Sequence, residues 1–97
     1  MGNDADIELK LRWRRTWSER DNDFACAAPE HRGSVGRIYL YGQAPAAGQW
    51  YWSYQGHVPG VPRGADSTGM APSPREAAKA VEDRWFADLE KASKALV

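Results

Sequence analysis

The stretch Ile7-Glu8-Leu9-Lys10-Leu11-Arg12-Trp13-Arg14 decides the fold class. Apolar and charged residues exchange at every step, which is the period-2 pattern of a strand with one buried face. Ile7, Leu9, Leu11 and Trp13 point to one side, and Glu8, Lys10, Arg12 and Arg14 to the other. The first set makes core, and the second presents three cations to solvent or to a partner. A strand is therefore expected from about Asp6 to Trp17.

Working outward, Glu19-Arg20-Asp21-Asn22-Asp23 is a polar cluster with turn chemistry. Phe24 to Ala28 is a weaker strand with Phe24, Cys26 and Ala28 on one face, ended by Pro29, which cannot donate to a ladder. Val35 to Tyr41 is a further strand, with Ile38 and Leu40 on one side and Arg37, Tyr39 and Tyr41 on the other. Gly42 to Gly48 reads as a wide hairpin loop. Gln49 to Gln55 is the last strand expected, with Trp50, Trp52 and Tyr54 on one face and Tyr51 and Ser53 on the other. Gly56 to Ala71 is rich in Gly and Pro and has no periodicity, so it is expected to cross the surface without regular structure.

Ser73-Pro74-Arg75-Glu76 marks a helix start, with Ser at the N-cap, Pro at the first helical position and Glu two further on. Ala78, Val81, Trp85, Leu89, Ala92 and Leu96 then recur at spacings of three and four, one face of an amphipathic helix from Pro74 to about Ala95. Lys79, Asp83, Glu90 and Lys94 fall on its opposite side, and Phe86 lies beside the stripe. The expected architecture is α+β: one domain over residues 1–97, a three- or four-stranded antiparallel meander packed against one C-terminal α-helix. Ile7, Leu9, Leu11, Trp13, Ile38, Leu40, Trp50, Trp52, Val81, Trp85 and Leu89 are the expected core.

The chain of 97 residues carries 13 Lys+Arg against 13 Asp+Glu, five Trp, four Tyr and a single Cys. One cysteine cannot form an intrachain disulfide and fits a reducing compartment. No apolar run approaches a membrane span, and the acidic Met1-Gly2-Asn3-Asp4 start lacks the basic and apolar regions of a secretory signal. A cytoplasmic location with no membrane partner is expected. The zero net charge weighs against a nucleic-acid binder, which ordinarily carries a basic excess.

No motif for catalysis stands out. Cys26 lies in an apolar alternation and reads as a small core hydrophobe. His31 and His57 have no metal-ligand spacing around them. Asp21-Asn22-Asp23 lacks the glycine and distal glutamate of a calcium loop. Gly33, Gly36 and Gly42 fit no phosphate-loop pattern. No enzyme, cofactor or metal is expected. The strand register instead collects Lys10, Arg12, Arg14, Arg37, Tyr39, Tyr41 and Tyr51 on the uncovered face of the sheet, where cations interleaved with aromatics suit a binding surface.

Two resemblances follow from these residues. Gly36-Arg37-Ile38, Trp50-Tyr51-Trp52-Ser53, Gly69, Ser73-Pro74-Arg75-Glu76-Ala77-Ala78 and Trp85 resemble a group of short uncharacterised alphaproteobacterial proteins with a Gly-Arg-Ile strand, a Trp-x-Trp strand and a Ser-x-x-Glu-Ala helix. That likeness spans about residues 35–89 and implies a fold, not an activity. Strands followed by a Ser-x-x-Glu-Ala-Ala helix are also similar to the three-stranded-sheet DNA-binding domains of plant ethylene-response factors and of the arm-site-binding domains of tyrosine recombinases. This second likeness implies Arg12, Arg14, Arg37 and Tyr39 as DNA contacts. The expected function is a small binding module acting through the open basic-aromatic face, an adaptor or inhibitor of a larger assembly, with a protein partner or self-association. The alternative is nucleic-acid binding by the same face.

Overall fold

The computed structural model describes residues 6–29, 31–42, 48–62 and 67–95. Among them the chain forms β1 (Arg12–Arg15), β2 (Asp23–Ala27), β3 (Gly36–Leu40), β4 (Trp50–Tyr54), β5 (Thr68–Ala71) and α1 (Pro74–Ala95). The strands lie side by side in chain order, β1-β2-β3-β4-β5, every neighbour antiparallel. Short connections make such a meander. The α+β class and the C-terminal helix are as expected; the sheet has five strands rather than three or four.

The extra strand, β5, lies inside the segment expected to be a loop. Its sequence, Thr68-Gly69-Met70-Ala71, has no alternation to announce it. It forms because β4 would otherwise leave a row of unpaired N–H and C=O groups, and Gly69 lets the Trp52 indole lie over it. A Cβ at position 69 would fall 2.8 Å from that ring. The rest of that segment is anchored by the turn Val58-Pro59-Gly60-Val61, with a Val61 N–H to Val58 O bond of 3.0 Å and Gly60 at φ 85°. A proline followed by a left-handed glycine is the type II turn arrangement. It buries both Val58 and Val61, neither of which lies on a periodic pattern. Residues 43–47 of the expected hairpin loop, 63–66 of the crossing and Leu96 of the helix stripe lie outside the described residues.

The first strand is shorter than its alternation. Arg12–Arg15 pairs with β2, and the Thr16 N–H adds one bond to Asp23 O at 3.0 Å; the residues before Arg12 have no partner in β2 among the described residues. Upstream, Lys10 and Leu11 donate their backbone N–H groups to the carboxylate of Glu82 on α1, at 2.8 and 2.9 Å, and the Trp13 indole N–H donates to the same carboxylate at 2.8 Å. Alternation therefore marks which side chains are buried, while a helix carboxylate replaces the missing strand.

α1 starts where the capping residues place it. The Glu76 N–H donates to Ser73 Oγ at 3.2 Å, and Ser73 Oγ donates back to Glu76 Oε2 at 3.0 Å. The helix packs on β3, β4 and β5. Its Ala77, Ala78, Val81 and Trp85 meet Cys26, Val35, Ile38, Trp50, Tyr54 and Ala71 in one core. The close approach is set at Gly36, where a Cβ would lie 2.3 Å from Val81 Cγ1. Leu9, Leu11, Trp13, Trp52 and Leu89 are only partly buried, at the margin of this core. Leu40 keeps its expected register opposite Trp50 but is 39% exposed, because it lies at the end of β3. Lys79–Asp83 and Lys94–Glu90 form ion pairs on the solvent side of the helix.

Candidate interaction face

The register fixes which residues share the face opposite α1. One transverse row runs Asp23, Tyr39, Tyr51, Met70; the next runs Arg14, Ala25, Arg37, Ser53, Thr68; Arg12 opposes Ala27 beyond them. Five of the seven residues expected on this face are therefore in its ladder: Arg12, Arg14, Arg37, Tyr39 and Tyr51. Tyr41 lies just past β3, where its N–H donates to Gln49 O at 2.8 Å. That bond carries the pairing one step further and keeps Tyr41 on the side of Tyr39. Lys10 is not brought to this face. Its ammonium lies 5.9 Å from the centre of the Phe86 ring on α1, a cation–π contact that follows from Glu82 holding the adjacent backbone.

The centre of the face is aromatic. Tyr39 and Tyr51 oppose each other across β3 and β4 with ring centres 5.1 Å apart and planes tilted by 35°. The Arg37 guanidinium lies 5.0 Å from the Tyr39 ring centre. Met70, 40% exposed, ends the row.

Asp23 is the residue sequence reasoning missed. It belongs to β2 rather than to the polar turn, and it is 4% exposed. The Arg37 Nε–H donates to Asp23 Oδ1 at 2.8 Å and Nη2–H donates to Oδ2, a two-bond pairing of guanidinium and carboxylate. This hydrogen bonding holds the Asp23 carboxyl below its ordinary value, against burial, which pushes the other way, and raises Arg37 above its own. Nothing local in the sequence signals the pair, since Asp23 and Arg37 meet only through the register of β2 and β3. Around it, Arg20, Asp21, Asn22, Tyr39 and Leu40 complete an open depression of about 400 Å³. Arg15 pairs with Asp21 at 3.1 Å. Arg12 and Arg14 are exposed and make no ion pair among the described residues.

The other reactive side chains are absorbed by the fold. Cys26 is free and buried, and burial, aided by the nearby Glu82 charge, pushes its thiol up to about 12. A thiol in that state is no nucleophile at neutral pH. His31 Nε2 accepts the His57 backbone N–H at 3.0 Å, and its ring meets Trp85 edge-on at 5.4 Å. Asp88 accepts the Tyr54 hydroxyl at 2.6 Å in the core. Among the described residues no group of three His, Cys, Asp or Glu side chains is placed to hold a metal, and no helix is long and apolar enough to cross a membrane. Glu82 and Asp88 did leave a signal. Both are acids in the apolar stripe, at three- and four-residue spacings from Ala78, Val81 and Trp85.

Compared with family models, curated proteins and solved structures, the chain matches none.

Proposed function

We propose that this protein is a small non-enzymatic interaction module, an adaptor or inhibitor of a larger assembly, that binds a protein partner through the open face of its sheet. The carrying observation is the row of half-buried Tyr39 and Tyr51 and exposed Met70, with half-buried Arg37 beside Tyr39, on a face that no other element covers among the described residues. Arg, Tyr and Met are the side chains enriched at the centres of protein interfaces. The internal neutralisation of Arg37 by Asp23 favours a protein over a phosphate backbone, because a cation already paired contributes little to counterion release. A free, buried cysteine fits a cytoplasmic setting.

Nucleic-acid binding is the second reading, and Arg12 and Arg14, exposed and without an ion pair among the described residues, favour it. The two readings separate by salt and by residue. With a partner captured on the wild-type protein and then purified, Tyr39→Ala and Tyr51→Ala should each weaken binding by about tenfold or more, with little dependence on salt. Unchanged affinity in both variants would overturn the protein reading. Binding to short duplex DNA, single-stranded DNA or RNA that falls steeply with salt and disappears in the Arg12/Arg14/Arg37→Ala variant would put nucleic acid in its place.

A further inference from the structure

The open sheet has two edges, and they differ in chemistry. β1 carries arginine at three of its four positions. A second strand of the same kind laid against it would set arginines opposite arginines. β5, Thr68-Gly69-Met70-Ala71, carries no charge at all.

The hydrogen-bond parity of β5 is fixed by one bond. The Tyr54 N–H donates to Ser67 O at 2.7 Å, one step past the last ladder pair. In an antiparallel pair bonded and non-bonded positions alternate. Ser67, Gly69 and Ala71 therefore turn their backbone groups toward β4, and Thr68 and Met70 turn theirs outward. Among the described residues none outside the sheet hydrogen-bonds to Thr68 or Met70.

We propose that β5 pairs with β5 of a second copy of this chain, antiparallel about a two-fold axis, with Gly69 facing Gly69 of the other copy. Cross-strand neighbours must point to the same face, so a symmetric pairing is centred on a residue, and of Thr68, Gly69 and Met70 only Gly69 pairs the two outward-bonding residues, Thr68 and Met70, with each other. Centring on Gly69 sets Thr68 opposite Met70 of the other copy, twice, and uses every outward N–H and C=O. Centring on Met70 would set Thr68 opposite Pro72, which has no N–H. The Gly69 register is also self-complementary on the helix side. Each Trp52 indole already lies over its own Gly69, so two half-buried indoles flank the paired glycines and cover them. On the opposite side the row Tyr39–Tyr51–Met70 runs on into Thr68 and Ser53 of the other copy. The result is a ten-stranded sheet with the arginine edges at its two far ends. An edge this short buries little area, so the dimer is weak.

Sedimentation equilibrium of the full chain, up to about 1 mM where weak association becomes measurable, should show reversible dimerisation. Met70→Pro removes an N–H that does not serve the β4–β5 ladder and should return the protein to monomer. Thr68→Lys/Met70→Lys, which sets lysine opposite lysine, should do the same if the proline variant does not fold. Tyr39→Glu should leave the dimer intact, which separates this edge from the open-face reading above. With rising concentration, hydrogen exchange should slow at the Thr68 and Met70 amides while the Gly69 amide stays protected throughout. A protein that is monomeric over the whole range, or a dimer that survives the lysine pair, overturns the proposal.

Discussion

Each face of the sheet holds a buried carboxylate that it treats in its own way, Glu82 on one and Asp23 on the other. On the covered face Glu82, 4% exposed, accepts three uncharged donors among the described residues: two backbone N–H groups and an indole. On the open face Asp23, also 4% exposed, accepts both arms of a guanidinium. The first holds the segment before β1 to the helix, so its work is structural. The second offsets the charge of the central arginine, which lies against Tyr39. A buried acid can thus serve the fold on one side of five strands and shape a binding surface on the other.

Breaking the covered side should be the more expensive. Glu82→Ala strands the three donors and should cost about 3–4 kcal/mol in chemical denaturation. The same variant should release residues before β1, visible as faster hydrogen exchange at the Lys10 and Leu11 amides. Gly36→Ala drives a Cβ into Val81 and the backbone carbonyl of Ser53. Overpacking at so close a contact should cost about 2–3 kcal/mol, and Gly36→Ala/Val81→Ala should recover part of it, a coupling read by the double-mutant cycle.

The open side should yield less. Asp23→Asn leaves a half-exposed Arg37 without its partner, and solvent screening limits the loss to about 1–2 kcal/mol. The sign with pH follows from Asp23 being lowered in the folded state. The unfolded chain binds the proton more readily, so the stabilisation is complete above the ordinary aspartate range and is lost as pH falls through the folded value. Denaturation midpoints of wild type and Asp23→Asn should therefore converge in acid. If the gap is as wide there as at neutral pH, the ion pair is not its source. Smallest of all, Arg14→Ala should change stability by no more than about 0.5 kcal/mol, because this side chain is exposed and makes no ion pair among the described residues.

Local chemistry that closes within a few residues was legible in the sequence. The Ser73–Glu76 cap needs only its own four residues, and it set the helix start. Trp50, Trp52 and Tyr54 share a face because a strand has a period of two, and all three point to the helix side. The alternation of Arg12 to Arg14 and of Arg37 to Tyr39 likewise assigned them correctly to the open face. The same logic overextended β1, since alternation states which residues are buried and not whether a neighbouring strand is there to pair with them.

By itself the sequence determined the fold class, the helix and the two-sidedness of its strands, because propensity, capping and periodicity act over one or two turns of chain. Tertiary structure alone decided the rest. Asp23 meets Arg37 only through a register set across two strands. Glu82 meets Lys10 only because a helix crosses a strand far earlier in the chain. β5 exists because β4 had an edge to fill and Trp52 a glycine to cover. Each is a pairing between distant residues, and their free energies depend on burial and geometry that no local pattern encodes.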